Sequence, residues 1–195
     1  MESLSCVKEL VDLLNTTNGS NDKQTILKKY VDDKYITKVL VYTYNPLLQY
    51  GVTSSNIKKY TNHKNYTTQK YKKYDCLFEL LDSLNSRTIT GNEALKTINE
   101  FVKKVGFEDI VHCILDKNLK IRISAKIINK VYGYNVIPVF DPVLSYKYDS
   151  KFTKLDENWF ISQKLDGVRC LISIDPKTKS IKTFSRTGKD IHNTE

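Results

Sequence analysis

The stretch Phe160–Ile174, FISQKLDGVRCLISI, sets a lysine inside an apolar, strand-like run and follows it with Asp166-Gly167 and then Arg169. Side-chain parity along a strand puts Ser162 and Lys164 on one face, with Gln163 and Leu165 on the other. Asp166-Gly167 is expected to turn the chain, since glycine accepts positive φ without steric cost, and Arg169 then emerges close to Lys164. A neighbouring cation and partial burial both disfavour a charged ammonium, which is how an amine becomes nucleophilic near neutral pH. Arg169 offers forked donors suited to a phosphate. Arg186, seventeen residues after Arg169 in the stretch FSRTGKD, is expected across a hairpin, within reach of a second phosphate. The same spacing also fits a surface hairpin whose Lys and Arg stems lie along apolar surface.

These residues sit in the second of two differently textured halves. Residues 1–133 read as helices. LSCVKELVDLLN puts Leu4, Val7, Leu10, Val11 and Leu14 on one helical face. Asn21-Asp22 is expected to cap a second helix with Ile26, Leu27 and Tyr30 inward, and DKYITKVLVYTY gives a third, ending before Asn45-Pro46. YDCLFELLDSLN repeats the pattern through Leu77, Leu80, Leu81 and Leu84. In TGNEALKTINEFVKKVG, Thr90 and Glu93 have capping-box spacing ahead of an apolar stripe from Ala94 to Val105. A short helix over Ile110–Leu115 follows, and the last, Ser124–Tyr132, is capped by Ser124 and stopped by Gly133. Beyond Gly133 an extended linker with two prolines leads into strands: Val168, Cys170, Ile172 and Ile174 alternate with Arg169, Leu171 and Ser173, DPKTK turns, and SIKTFSR returns antiparallel. The fold class is therefore α+β, with an all-helical domain over 1–133 and a β-containing domain over 134–195.

Hydrophobic content of 40% and charged content of 27% suit a soluble globular chain, and no apolar run is long enough to span a membrane. The N-terminus does not resemble a signal peptide. Cys6, Cys76, Cys113 and Cys170 are too dispersed for a zinc or disulfide framework, which fits a reducing cytoplasm. His63, His112 and His192 form no metal-ligand cluster with acids or cysteines, and His112 is expected within a helix as a packed or surface residue rather than a ligand. The 31 Lys and Arg against 22 acids give a net charge of +9. Much of the excess is local: KKYTNHKNYTTQKYKK, from Lys58 to Lys73, holds six lysines and no acid. Such a block attracts polyanions, of which nucleic acid is the commonest, and also fits a solvated loop.

KLDGVR followed by SRTG resembles the lysine motif and the next motif of covalent nucleotidyltransferases: DNA ligases, RNA ligases and capping enzymes. LNSRTITGNEAL, LKIRISAKIINKVYG, IPVFDPVLSYKYD and YTYNPLLQYGV resemble, in order and spacing, the N-terminal domain and linker of ATP-dependent DNA ligases of the T-even phage type. The resemblance covers nearly the whole chain and is most specific at Lys164 to Arg169. It implies a helical DNA-binding domain that grips the minor groove across a nick, then the first strands of an adenylation (nucleotidyltransferase) domain. It implies ATP as substrate, with Lys164 attacking its α-phosphate to give lysyl-AMP. Ser162, Gln163, Asp166, Gly167, Arg169 and Arg186 would contact the nucleotide. It also implies Mg2+, for which no ligand can be named in this chain. The partner is nicked duplex DNA, and the expected form is a monomer in a host cytoplasm or nucleoid. Lys58, Lys59, Arg87, Thr90, Gly91, Asn92, Lys120, Arg122 and Ser124 are the expected DNA contacts.

Three departures from the family pattern qualify this. Ser162 stands where many ligases carry a Glu or Gln that contacts the adenine, and Arg122 stands where relatives often carry Gly. The later acidic and lysine motifs and the OB-fold are not within these residues. The chain is thus expected to correspond to the first part of a ligase and to neither seal nor adenylate alone. Two alternatives are a DNA-binding piece without catalysis and an RNA ligase or capping-type enzyme. The latter predicts no helical domain ahead of the lysine.

Overall fold

The computed structural model describes residues 2–64, 67–140, 160, 162–163, 166–186, 188 and 190–191. The expected nucleophile Lys164 and most of the expected linker lie outside the described residues. Contacts divide the chain into two units, Met1–Val139 and Phe140–Glu195. Among the described residues the first unit is built of eight helices and the second carries one antiparallel hairpin.

In the helical unit α1 (Glu2–Asn15) buries Leu4, Val7, Leu10, Val11 and Leu14, the stripe its periodicity predicts. α2 (Ser20–Lys28) begins one turn earlier than expected. Gly19 occupies its N-cap, and Asp22 falls in the first turn, where its carboxylate accepts from Thr17 instead of capping. α3 (Lys34–Tyr44) is capped by Asp33, which accepts from the backbone N–H of Tyr35 and Ile36. α4 (Ser54–Tyr60) was not predicted. Its seven residues are too few for a clear period, and it is anchored through Ile57 and Tyr60.

α5 (Leu77–Asn85) and α6 (Gly91–Val105) supply Leu80, Leu81, Leu84, Ala94 and Ile98 to the core. Each of these leucines and Ile98 contributes roughly 1.5–3 kcal/mol on burial. Thr90 takes the expected N-cap position of α6, but its side chain makes no cap hydrogen bond, so the capping box is not formed. α7 (Glu108–Leu115) follows. α8 (Ala125–Tyr132) is capped by the Ser124 hydroxyl, which accepts from Ile127 N–H, and ends at Gly133, whose φ of 78° suits a residue without Cβ. α2 packs on α8, α4 on α6, and α1 on α2, α3 and α7. The helical unit continues past Gly133. Ile137 is fully buried, and the Asn129 amide both donates to its carbonyl and accepts from its N–H.

In the second unit β1 (Cys170–Ile174) pairs antiparallel with β2 (Ile181–Ser185), in the register Cys170↔Ser185 to Ile174↔Ile181. Asp175 organises the turn by accepting from the N–H of Lys177 and Thr178. The hairpin and its DPKTK turn are as predicted, while the expected strand ahead of Asp166 falls mostly outside the described residues. Phe160, Ser162 and Gln163 lie in no strand, and among the described residues β1 pairs with β2 alone. Gly167 takes no left-handed φ, and a Cβ there would meet nothing within 4 Å. Nor is β1 buried: Ile172 is 65% exposed and Ile174 60%.

Candidate nucleic-acid interface and nucleotide site

The loop from Asp116 to Ser124 alternates like a strand without pairing as one. Leu119, Ile121 and Ile123 are buried, while Lys120, Arg122 and Ser124 point outward. Three of its residues, Lys117, Lys120 and Arg122, have φ of 60°, 57° and 56°. Left-handed backbone costs an L-residue roughly 1–2 kcal/mol, so surrounding contacts must impose it. Those contacts come from several helices. Asp116 accepts from the Ser54 N–H and hydroxyl at the start of α4. Lys117 donates to the carbonyls of Tyr42 and Asn45 at the C-terminal end of α3, at 3.0 and 2.7 Å, where a cation also suits the helix dipole. Lys23 of α2 donates to the Ile121 carbonyl at 2.6 Å, and Arg122 Nη1 donates to Asn18 Oδ1 at 3.2 Å. The outcome is a pinned loop presenting Lys120, Arg122 and Ser124 beside the N-terminus of α8. Neither the Lys23 nor the Lys117 anchor is legible in sequence, because their partners are backbone carbonyls on remote segments.

Lys58 and Lys59 lie exposed in the last turn of α4. Lys58 and Lys120, far apart in sequence, together with Lys8 line one hollow of about 370 Å³, which also includes His112, Asp109 and Asp116. His112 lies in α7, a helix as expected, and is buried there; neither ring nitrogen finds a hydrogen-bond partner, and Nδ1 lies 3.6 Å from Glu108 Oε1. Its pKa is lowered, chiefly by burial and further by Lys58, against the opposing pull of Glu108, Asp116 and Asp109. Among the described residues no group of His, Cys, Asp and Glu is placed to hold a metal ion.

The Arg87–Asn92 turn does not line that hollow. Arg87 has a φ of 61° and packs its guanidinium against Gly51, where a Cβ would stand 2.0 Å from Nη1. Thr90, Gly91 and Asn92 are exposed at the start of α6, and no side chain caps its first N–H groups. An uncapped N-terminus of this kind is suited to an anion.

In the second unit the register ends at Cys170↔Ser185, so Arg169 and Arg186 stand one residue further out on neighbouring strands. Parity gives both the face of Leu171 and Phe184, opposite the one carrying Ile172, Ile174 and Ile181. Both arginines are exposed, as are Ser162, Gln163, Asp166 and Gly167. Gly188, in the SRTG stretch, has a φ of 82°, and a Cβ there would lie 2.6 Å from Phe140 Cγ. The motif glycine therefore answers both a backbone and a packing demand. Phe140 lies against Phe184 with ring centroids 6.1 Å apart, and Ile191 N–H donates to the Thr183 carbonyl at 2.9 Å.

The chain is similar in fold to parts of longer solved structures. The structure named Pmar-Lig_Pre. is similar with a TM-score of 0.69 and 25% identity, over 95% of this chain and 43% of that one. Pmar-Lig_PreS3 shares the fold with a TM-score of 0.68 at 24% identity, over the same shares of the two chains. In sequence, the chain is a distant homologue of the DNA ligases of Enterobacteria phages T4 and T6, 25% identical to each over 193 residues, 94% of its own length. It spans 38% of the length of these relatives. No family model matches it.

Proposed function

We propose that this chain is the DNA-gripping and nucleotide-accepting part of an ATP-dependent DNA ligase. The helical unit holds nicked duplex DNA through phosphate contacts from Lys58, Lys59, Lys120, Arg122 and Ser124, and from the α6 start with Arg87, Thr90, Gly91 and Asn92. Lys164 is the nucleophile: its amine attacks the ATP α-phosphate, an N–P bond forms, the P–O bond to pyrophosphate breaks, and the amine gives up a proton. Arg169 and Arg186 donate to phosphate oxygens, a role supported by their exposure on one face at the open end of the hairpin. Ser162, Gln163, Asp166 and Gly167 shape the rest of the nucleotide contact. Magnesium would screen the phosphates for attack, and no ligand to it is proposed from this chain.

The observation that carries this reading is the span of the likeness to DNA ligases. At 94% of the chain it takes in both the helical unit and KLDGVR, in one order. RNA ligases and capping enzymes share the lysine motif without such a unit before it. Two measurements test the proposal. The 195-residue chain should bind nicked duplex DNA with an affinity that falls steeply as salt rises. A chimera in which it replaces the matched part of the phage T4 ligase should form a covalent AMP adduct on Lys164, lost in Lys164→Ala and not restored by Lys164→Arg. An adduct of full yield in Lys164→Ala would overturn the assignment. Salt-insensitive binding, or strong preference for one sequence, would overturn the nick-gripping role.

A further inference from the structure

Lys23 is the most deeply buried lysine of the described residues, with 3% of its surface exposed. It sits on the buried side of α2, with Leu27, and its ammonium donates to the Ile121 carbonyl at 2.6 Å. It forms no ion pair with a carboxylate among the described residues. A buried cation without a carboxylate is costly, and an apolar residue of the same length would pack more readily. What the ammonium supplies that a methionine lacks is a strong, directed donor to one backbone carbonyl. That carbonyl lies between Lys120 and Arg122, whose backbones are both held left-handed. Ile121 itself is fully buried, and its neighbours' side chains project to solvent.

We infer that Lys23 is a positioning residue for DNA: through the Ile121 carbonyl it locks the Asp116–Ser124 loop so that Lys120 and Arg122 stay in phosphate-binding register. This rests on the DNA-binding reading above. Lys23 does not touch the nucleic acid. It acts from beneath the loop, while Asp116 and Lys117 fix the loop's N-terminal end to α4 and α3. The device lets a loop without glycine hold left-handed backbone and carry cations at those same positions.

The test is Lys23→Met in the whole chain, read by amide hydrogen exchange and by duplex binding. Methionine keeps helix propensity and side-chain length while removing the donor. Exchange across residues 117–124 should accelerate by roughly tenfold or more, while α5 and α6 keep their protection. Duplex affinity should fall with a shallower salt dependence, and Lys23→Arg, which keeps a cationic donor, should retain more loop protection than Lys23→Met. Unchanged loop exchange in Lys23→Met would overturn the inference. So would acceleration spread evenly over all helices, which would mean a core-packing role alone. A second measurement needs no variant: the Lys23 ammonium protons of the unmodified chain should exchange slowly, and exchange as fast as in surface lysines would refute the bond. If the unmodified chain does not bind duplex DNA, the proposed function fails while the loop-exchange result still decides the role of Lys23.

Discussion

Replacing both Lys120 and Arg122 by glycine should weaken DNA binding while leaving the helical unit at least as stable. With φ of 57° and 56°, each residue carries a left-handed cost of roughly 1–2 kcal/mol that glycine does not. Against that relief stands the exposed Arg122–Asn18 hydrogen bond, contributing about 0.5 kcal/mol, and the greater freedom glycine gives the unfolded chain. The net expectation is a change of about 1 kcal/mol toward stability, or a melting midpoint about 3 °C higher. For binding, each cation that neutralises a phosphate adds about 0.9 to the salt slope, so removing two reduces it by up to about 1.8. Between 50 and 200 mM salt the fall in affinity should then be about tenfold smaller than for the unmodified chain. Fluorescence anisotropy on two unrelated nicked duplexes measures the slope, and thermal unfolding measures the stability. An unchanged slope would show that this loop does not meet phosphates. A lowered midpoint would show that the left-handed backbone is not the cost assigned to it.

Ile121→Ala should cost about 3 kcal/mol in urea unfolding, because truncating this fully buried loop side chain leaves a cavity in the core; a cost below about 1 kcal/mol would contradict its place there. Gly188→Ala should disorder the β1–β2 unit and leave the helical unit intact, since φ is 82° and the new methyl would meet Phe140; unchanged amide protection in β1 and β2 would refute this. His112→Phe should flatten the acid limb of the stability curve. The folded-state pKa of His112 lies below its unfolded value of 6.5, so unfolded chains bind more protons in that window. Its share of stability is complete above about pH 6.5 and is lost as pH falls toward the folded pKa, with a slope of at most about 1.4 kcal/mol per pH unit. Urea unfolding of both proteins at several pH values reads the difference, and identical slopes would exclude the residue.

Local chemistry was enough to read most of the helices and the hairpin. The buried stripes of α1, α5 and α6 follow from 3.6-residue periodicity, and the Ser124 cap and Gly133 stop from side-chain and backbone preferences that act within one turn. The antiparallel return of β2 onto β1 across the DPKTK turn follows likewise from alternation and turn residues, while the register itself is read from the structure. The sequence by itself also singled out the lysine motif, because KLDGVR is contiguous. What only the tertiary structure decided are contacts between segments remote along the chain. Lys23 reaches the Ile121 carbonyl, Lys117 closes the end of α3, and Lys58 meets Lys120 at one hollow. A carbonyl acceptor is common to every residue type, so no pattern marks which one a lysine will find. Local signals also misplaced the α2 cap and the capping box at Thr90. In both cases the helix starts without a side-chain cap hydrogen bond, which residue type and spacing alone do not reveal.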